Sequence, residues 1–236
     1  MAPTRRILIT GAGRGLGLEF TRQFLERGDR VFAVARRPGD STDLGALARS
    51  HPELLAPVAG DVGDDASIEA ARLKVASMTD ALDLLINNAA AYGTRGGSLQ
   101  SLDFAELRSV SEVNVIGPLR IARAFLPLLK KGRSPKLINL TSLMGSIADN
   151  KSGGTWAYRM SKAALNMAGK NLALELHGDG VTCVGLHPGW VRTEMGGPGA
   201  PLTPEESIAS MIRTIDGMTL ERTGGFFDRD GRPVPW

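Results

Sequence analysis

The sequence predicts an α/β fold in which a doubly wound, seven-stranded parallel sheet is flanked by helices. Two observations carry that prediction. Short β-branched and aliphatic runs alternate with longer segments of helical periodicity along the whole chain, and the first strand-to-helix junction is rich in glycine. With 236 residues and 42% hydrophobic content, the chain can bury one sizeable core, so residues 1–236 are expected to form a single domain.

In order, Arg6 to Ile9 reads as a strand and Leu16 to Arg27 as a helix. Val31 to Ala35 and Leu54 to Gly60 are apolar runs of strand length, giving the second and third strands. Helical periodicity returns from Asp65 to Met78, and Leu84 to Ile86 is a short aliphatic strand. A long helix is expected from about Leu102 to Leu129, Pro118 notwithstanding. Strand Lys136 to Leu140, helix Trp156 to Leu176, strand Val181 to Leu186 and helix Pro204 to Met218 follow, with a last strand near Phe226-Phe227. Right-handed crossovers would gather the chemistry-bearing strand ends on one edge. No repeat, low-complexity tract or interdomain linker interrupts the pattern.

Charge and cysteine content exclude several classes. The formal net charge is +3, but the cations are scattered and form no run longer than Lys130-Lys131 or Arg36-Arg37, so no nucleic-acid partner is expected. The single cysteine, Cys183, excludes an internal disulfide and a cysteine-based metal site, and lies in an apolar run as buried filler. No apolar run approaches bilayer-spanning length and no signal-like segment opens the chain, so the expectation is a cytoplasmic protein without a membrane partner.

Chemistry concentrates at three places. The loop Thr10-Gly11-Ala12-Gly13-Arg14-Gly15-Leu16-Gly17 leaves a strand and opens a helix. There, missing side chains let the backbone and the helix N-terminus approach a pyrophosphate; the alternative is a glycine-rich turn without a ligand. The second strand ends at Ala35-Arg36-Arg37, without the carboxylate that NAD-specific proteins direct at the ribose 2′-hydroxyl. Ala35 leaves room for a 2′-phosphate, and Arg36, with Arg14 from the glycine loop, can donate to it. NADP(H) is therefore favoured, with NAD(H) as second choice and a solvated arginine cluster as the bland alternative.

The third place is Tyr158-Arg159-Met160-Ser161-Lys162, whose i,i+4 spacing sets a phenol and an ammonium on one helix face. At an effective dielectric of about 20, an ammonium about 4 Å away contributes at most about 4 kcal/mol, or roughly three pKa units. The expectation is a tyrosine pKa depressed by Lys162 far enough below its ordinary value of about 10 for general acid–base work. Standing alone, the pair is also an ordinary helix contact.

Together, Thr10 with Gly11-x-x-x-Gly15-x-Gly17 and the later Tyr-x-x-x-Lys resemble the two signatures of the short-chain dehydrogenase/reductase family, a Rossmann-fold family of NAD(P)-binding enzymes. Tyr158-Arg159-x-Ser161-Lys162, His187-Pro188-Gly189-Trp190-Val191, Met195-Gly196-Gly197 and the ending Gly225 to Trp236 most resemble its C-factor/sniffer-like carbonyl reductases, and the likeness spans essentially the whole chain. The resemblance implies NADPH-dependent reduction of aldehydes or ketones, with a small-molecule carbonyl or alcohol as partner. It assigns Tyr158 as proton donor, Ser142 as the hydroxyl that polarises the carbonyl, and Lys162 as holder of the nicotinamide ribose. Asn114 would hold a water in a relay to Lys162. Asp61, followed by Val62, would accept from the adenine amino group. Asn88 and Ala89 would lie beside the adenine ribose. Pro188, Gly189, Val191 and Thr193 would line the nicotinamide, with Thr193 bonding its carboxamide.

Two features depart from the family pattern. Ala90 stands where the pattern has glycine, and the step from Ser142 to Tyr158 is a few residues longer than usual, with Asp149 to Gly154 read as a loop at the substrate mouth. Ser146 is the runner-up hydroxyl and Trp156 a candidate pocket wall, while His187 reads as structural. No metal is assigned, because histidine and cysteine form no cluster. Pairing of relatives through the helices that carry Asn114 and Tyr158 implies a homodimer or homotetramer. A nucleotide-binding signalling or redox-sensing protein with vestigial turnover is the alternative from another class, against which the intact Ser142, Tyr158 and Lys162 set argues. Nucleotide-sugar epimerase or dehydratase chemistry is weaker, given the short segment after Thr193.

Overall fold

The computed structural model describes residues 4–236, so the first three residues of the expected domain lie outside the described residues. Its strands are β1 (Arg6–Thr10), β2 (Arg30–Ala35), β3 (Leu55–Ala59), β4 (Leu84–Asn87), β5 (Lys136–Leu140), β6 (Thr182–His187) and β7 (Phe226–Asp228). They form one 7-stranded sheet in the order β3-β2-β1-β4-β5-β6-β7. Every neighbouring pair is parallel, with Ile9 of β1 in register with Ala33 of β2 and Ile86 of β4. The chain reverses its direction of winding between β1 and β4. In such sheets the crevice at the carboxyl ends of those two strands receives ligands.

Helices α1 (Gly15–Glu26), α2 (Thr42–Ser50), α3 (Asp65–Ala76), α4 (Phe104–Ser111), α5 (Gly117–Leu129), α6 (Trp156–Leu176) and α7 (Pro204–Asp216) cover both faces. Strand alternation divides the core accordingly. Ile7, Ile9, Ala33 and Ile86 pack with Phe20 and Phe24 of α1 and Ile208 and Met211 of α7. Leu8, Phe32, Val34 and Leu85 pack on the other side with Ile68 of α3, Ile121 and Phe125 of α5, and Ala173 and Leu176 of α6. Both faces are buried, which is why these strands read as continuous apolar runs rather than alternating ones. Each fully buried aromatic, such as Phe24, contributes on the order of 1.5–3 kcal/mol. Among the described residues, no helix is long and apolar enough to cross a membrane.

Two elements differ from the sequence expectation. Helix α2 lies between the second and third strands, where none was expected; it buries Leu44 and packs Leu47 and Ala48 on the core, an i,i+3,i+4 spacing confined to a helix of 9 residues. The expected helix Leu102 to Leu129 starts at Phe104, where Asp103 caps it by accepting from Ala105 N at 2.7 Å, and it is interrupted by a π-helical turn at Glu112–Ile116. The Gly117 N–H reaches back five residues to Glu112 O, and Pro118 has no N–H to donate to Asn114 four residues earlier.

Candidate active site

The expected coenzyme cradle is built where β1 and β4 end. The Thr10 hydroxyl oxygen accepts from the N–H groups of Asn88 and Ala89, each at 3.1 Å. In return Asn88 Nδ2 donates to Thr10 O at 2.8 Å and Gly11 O at 3.1 Å. The resulting approach excludes side chains: a Cβ on Gly11 would lie 2.8 Å from Ala89 Cα, and one on Gly17 would lie 2.3 Å from Gly11 O. Helix α1 starts at Gly15 with neither a capping side chain nor an acid in its first turn, while Leu16 packs its side chain on the core. Its first N–H groups and positive dipole end therefore remain available, which fits the pyrophosphate of a dinucleotide.

On the side expected to take the adenosine, Ala35 is buried, while Arg36 is exposed and takes part in no ion pair among the described residues. Asp61 is half-buried beside buried Val62, and its carboxylate accepts from Gly63 N at 2.9 Å. Arg14 is exposed in the glycine loop. Its guanidinium is paired with Glu194, beyond Thr193. A carboxylate offers it a charge-assisted bond, whereas Arg36 and Arg37 repel it.

On the side expected to take the nicotinamide, the segment after β6 approaches the glycine loop, with Thr193 Cγ2 3.9 Å from the Cβ position of Gly15. The Thr193 hydroxyl oxygen accepts from Gly196 N at 3.0 Å, leaving its proton free to donate. Pro188 O accepts from Ser207 Oγ at 2.7 Å, Gly189 turns the chain with φ 84, and Val191 is buried beneath.

The proposed catalytic side chains converge between β5 and α6. Ser142 caps the short turn Leu143–Gly145, accepting from Met144 N at 3.1 Å, and its hydroxyl also reaches the Tyr158 phenol. Gly145 lets that turn press on α6: a Cβ there would lie 2.8 Å from Lys162 Cβ. Lys162 is buried and donates from Nζ to Leu140 O at 2.8 Å. Asn114, in the π-helical turn, accepts from Ala91 N at 2.8 Å and donates to Ala91 O at 2.8 Å and Ser161 Oγ at 2.9 Å. Both its donors are taken by protein, so the side chain is a satisfied core amide.

The expected depression of the tyrosine pKa is overturned. Burial pushes the Tyr158 phenol up to about 12, opposed by the Ser142 side chain and reinforced by Tyr92. Lys162 Nζ lies 5.5 Å from the centre of the Tyr158 ring, over its face, and burial lowers its own pKa to about 8. The phenol is therefore held neutral, the state a proton donor requires.

The remaining candidates separate clearly. Ser146 is buried with its hydroxyl accepting from Asp149 N at 3.1 Å, where it holds the exposed 149–154 loop. His187 is kept neutral by burial, with a pKa lowered to about 4, and it belongs to the end of β6. Trp156 is exposed at the start of α6, and the ring against Tyr158 is Tyr92, at 4.4 Å between centroids.

Residues 5–200 match the short chain dehydrogenase family. The chain belongs to that family. As a short-chain dehydrogenase it is an oxidoreductase, and its similarity runs from end to end. The C-signal of Myxococcus xanthus is 46% identical over 158 residues, covering 67% of this chain and 95% of that protein. The carbonyl reductase Sniffer of D. melanogaster superposes with a TM-score of 0.94 at 33% identity, covering 99% of this chain and 100% of the other. An NADPH-bound carbonyl reductase from chicken fatty liver superposes with a TM-score of 0.90 at 34% identity, covering 99% of each.

Sequence reasoning missed several residues at this dehydrogenase site. Tyr92 and Arg95 lie in a loop without periodicity, so no pattern marked them. Ser161, which links Asn114 to α6, stood in plain view between Tyr158 and Lys162. Asn166 accepts from Thr141 Oγ1 at 2.6 Å and donates to Gly145 O at 3.4 Å, joining the end of β5 to α6. One turn beyond Lys162 on the same face, it was detectable from the i,i+4 spacing.

Proposed function

We propose that the chain is an NADP(H)-dependent carbonyl reductase that converts aldehydes or ketones to alcohols, with Tyr158 as proton donor. The observation that carries this reading is the buried phenol of Tyr158 with the buried hydroxyl of Ser142 hydrogen-bonded to it. The side-chain-free cradle of Gly11 and Gly17, and the absence of an acid at the end of β2, support the choice of coenzyme. When bound, the coenzyme supplies a hydride to the carbonyl carbon. Ser142 donates a hydrogen bond to the carbonyl oxygen and stabilises its developing charge, and Tyr158 delivers its proton to that oxygen. Lys162 holds the nicotinamide ribose. The Asn114 carbonyl, which Pro118 cannot bond, holds a water that returns a proton toward Lys162 and Tyr158. Arg36 reads the 2′-phosphate. Exposed Met160, Met167 and Leu174 on α6 serve pairing into a homodimer.

The test is reduction of a carbonyl panel by the Tyr158→Phe protein. Folding and NADPH binding should persist while turnover falls by roughly 10²–10⁴, the range for lost general acid catalysis. Substantial activity in the folded variant would overturn the assignment. Saturable NADPH binding by the unaltered protein without turnover on any carbonyl would favour a signalling role.

A further inference from the structure

The ring of Tyr158 belongs to a column that none of the roles above uses. The Arg95 guanidinium lies 4.5 Å from the Tyr92 ring centre, the Tyr92 and Tyr158 rings stack at 4.4 Å with 24° between planes, and Lys162 Nζ lies 5.5 Å from the Tyr158 ring centre. Two aromatic rings are thus in contact within a run of groups that begins and ends on a cation, an arrangement that favours both ring faces electrostatically. We propose that Tyr92 is a positioning residue for Tyr158, and that Arg95 fixes Tyr92 in that role. This inference rests on the assignment of Tyr158 as proton donor.

The loop that carries Tyr92 is stitched to α6 on both sides of the stack. Immediately before Tyr92, the backbone N–H and carbonyl of Ala91 are both held by the Asn114 side chain, which also donates to Ser161 Oγ three residues beyond Tyr158. Beyond Tyr92, Thr155 N donates to Gly96 O at 2.5 Å, and Gly96 N donates to Thr155 Oγ1 at 3.0 Å. Thr155 immediately precedes α6 and holds a left-handed conformation with φ 45, which a β-branched residue adopts only under strain. Glu106 grips the same loop by accepting from Thr94 N and Thr94 Oγ1, each at 2.8 Å. Arg95 also donates to Met195 O, in the segment beyond Thr193 that closes toward the glycine loop.

This arrangement gives the Asn114 amide a purpose beyond its own satisfaction, because it sets the register between the Tyr92 loop and the Tyr158 helix. The stack covers one side of the phenol ring, keeps water from it and restricts the bearing of its hydroxyl. The Tyr92 hydroxyl contacts Met144 Sδ at 3.6 Å, next to the turn that Ser142 caps, so the same side chain also borders the second proposed catalytic group.

The test compares Tyr92→Phe, which keeps the ring, with Tyr92→Leu, which fills the space without one. Carbonyl reduction is measured with NADPH, alongside melting temperature and NADPH affinity to confirm that both variants fold. Tyr92→Phe should retain kcat within about threefold, whereas Tyr92→Leu should lower kcat by up to about tenfold, the factor that a lost aromatic stack corresponds to. In the leucine variant KM should change less than kcat, and the Tyr158 phenol should titrate at lower pH than in Tyr92→Phe because water reaches it. Arg95→Gln should shift kcat in the same direction as Tyr92→Leu. A Tyr92→Leu protein that raises KM but keeps kcat and the phenol titration of Tyr92→Phe would make Tyr92 a mere pocket wall and overturn the proposal. That outcome alongside an inactive Tyr158→Phe protein would leave the proton-donor assignment standing.

Discussion

Titration of the Tyr158 phenol tests the electrostatics of the site directly. The chain has two tyrosines, so Tyr92→Phe leaves Tyr158 as the single phenol. Burial raises its pKa to about 12, and two units above the ordinary value of about 10 correspond to roughly 3 kcal/mol in favour of the neutral form. A protonated Lys162, with Nζ 5.5 Å from the ring centre, would favour the phenolate and oppose this. However, Lys162 titrates at about 8, so it has largely lost its proton before the phenol ionises. Burial therefore wins. The stability contributed by the neutral phenol is fully present below pH of about 10 and is lost as pH rises through about 12. Phenolate absorbance, read immediately after a pH jump on the coenzyme-free protein, should show a midpoint well above 10 and slightly below 12, since Tyr92→Phe removes the smallest of the contributions. A midpoint at or below about 10 would refute the reasoning and restore Lys162 as the dominant influence.

Two further outcomes follow from the coenzyme and assembly surfaces. Arg36→Ala should weaken NADPH binding by about 1–3 kcal/mol, the range for a lost charge-assisted hydrogen bond, and leave NADH nearly untouched; equal losses measured by titration calorimetry would remove Arg36 from the 2′-phosphate site. The exposed apolar stripe of α6 should bring two copies together at micromolar concentration, and a light-scattering mass of 25.0 kDa would show a monomer instead.

The site was legible in the sequence wherever its chemistry depends on local spacing. Gly11, Gly15 and Gly17 mark a strand-to-helix junction, and Tyr158 and Lys162 share a helix face, because both relations are set within a few residues of chain. Helix α2 was missed although Leu44, Leu47 and Ala48 carry helical spacing, because that trace is confined to 9 residues. The partner of Arg14 was equally hidden, because Glu194 reaches it only after the chain has wound through most of the sheet.

By itself the sequence determined a parallel α/β sheet, the glycine-rich junction and the set of groups proposed for carbonyl chemistry. Only the tertiary structure decided the protonation state of that set. Spacing along a helix says that an ammonium and a phenol are neighbours, but a pKa depends on everything that surrounds them. Here the packing of Tyr92, the Gly145 turn and the end of β5 withdraws both groups from water. Desolvation disfavours each charged form, and so it reverses the sign that the pair alone would give.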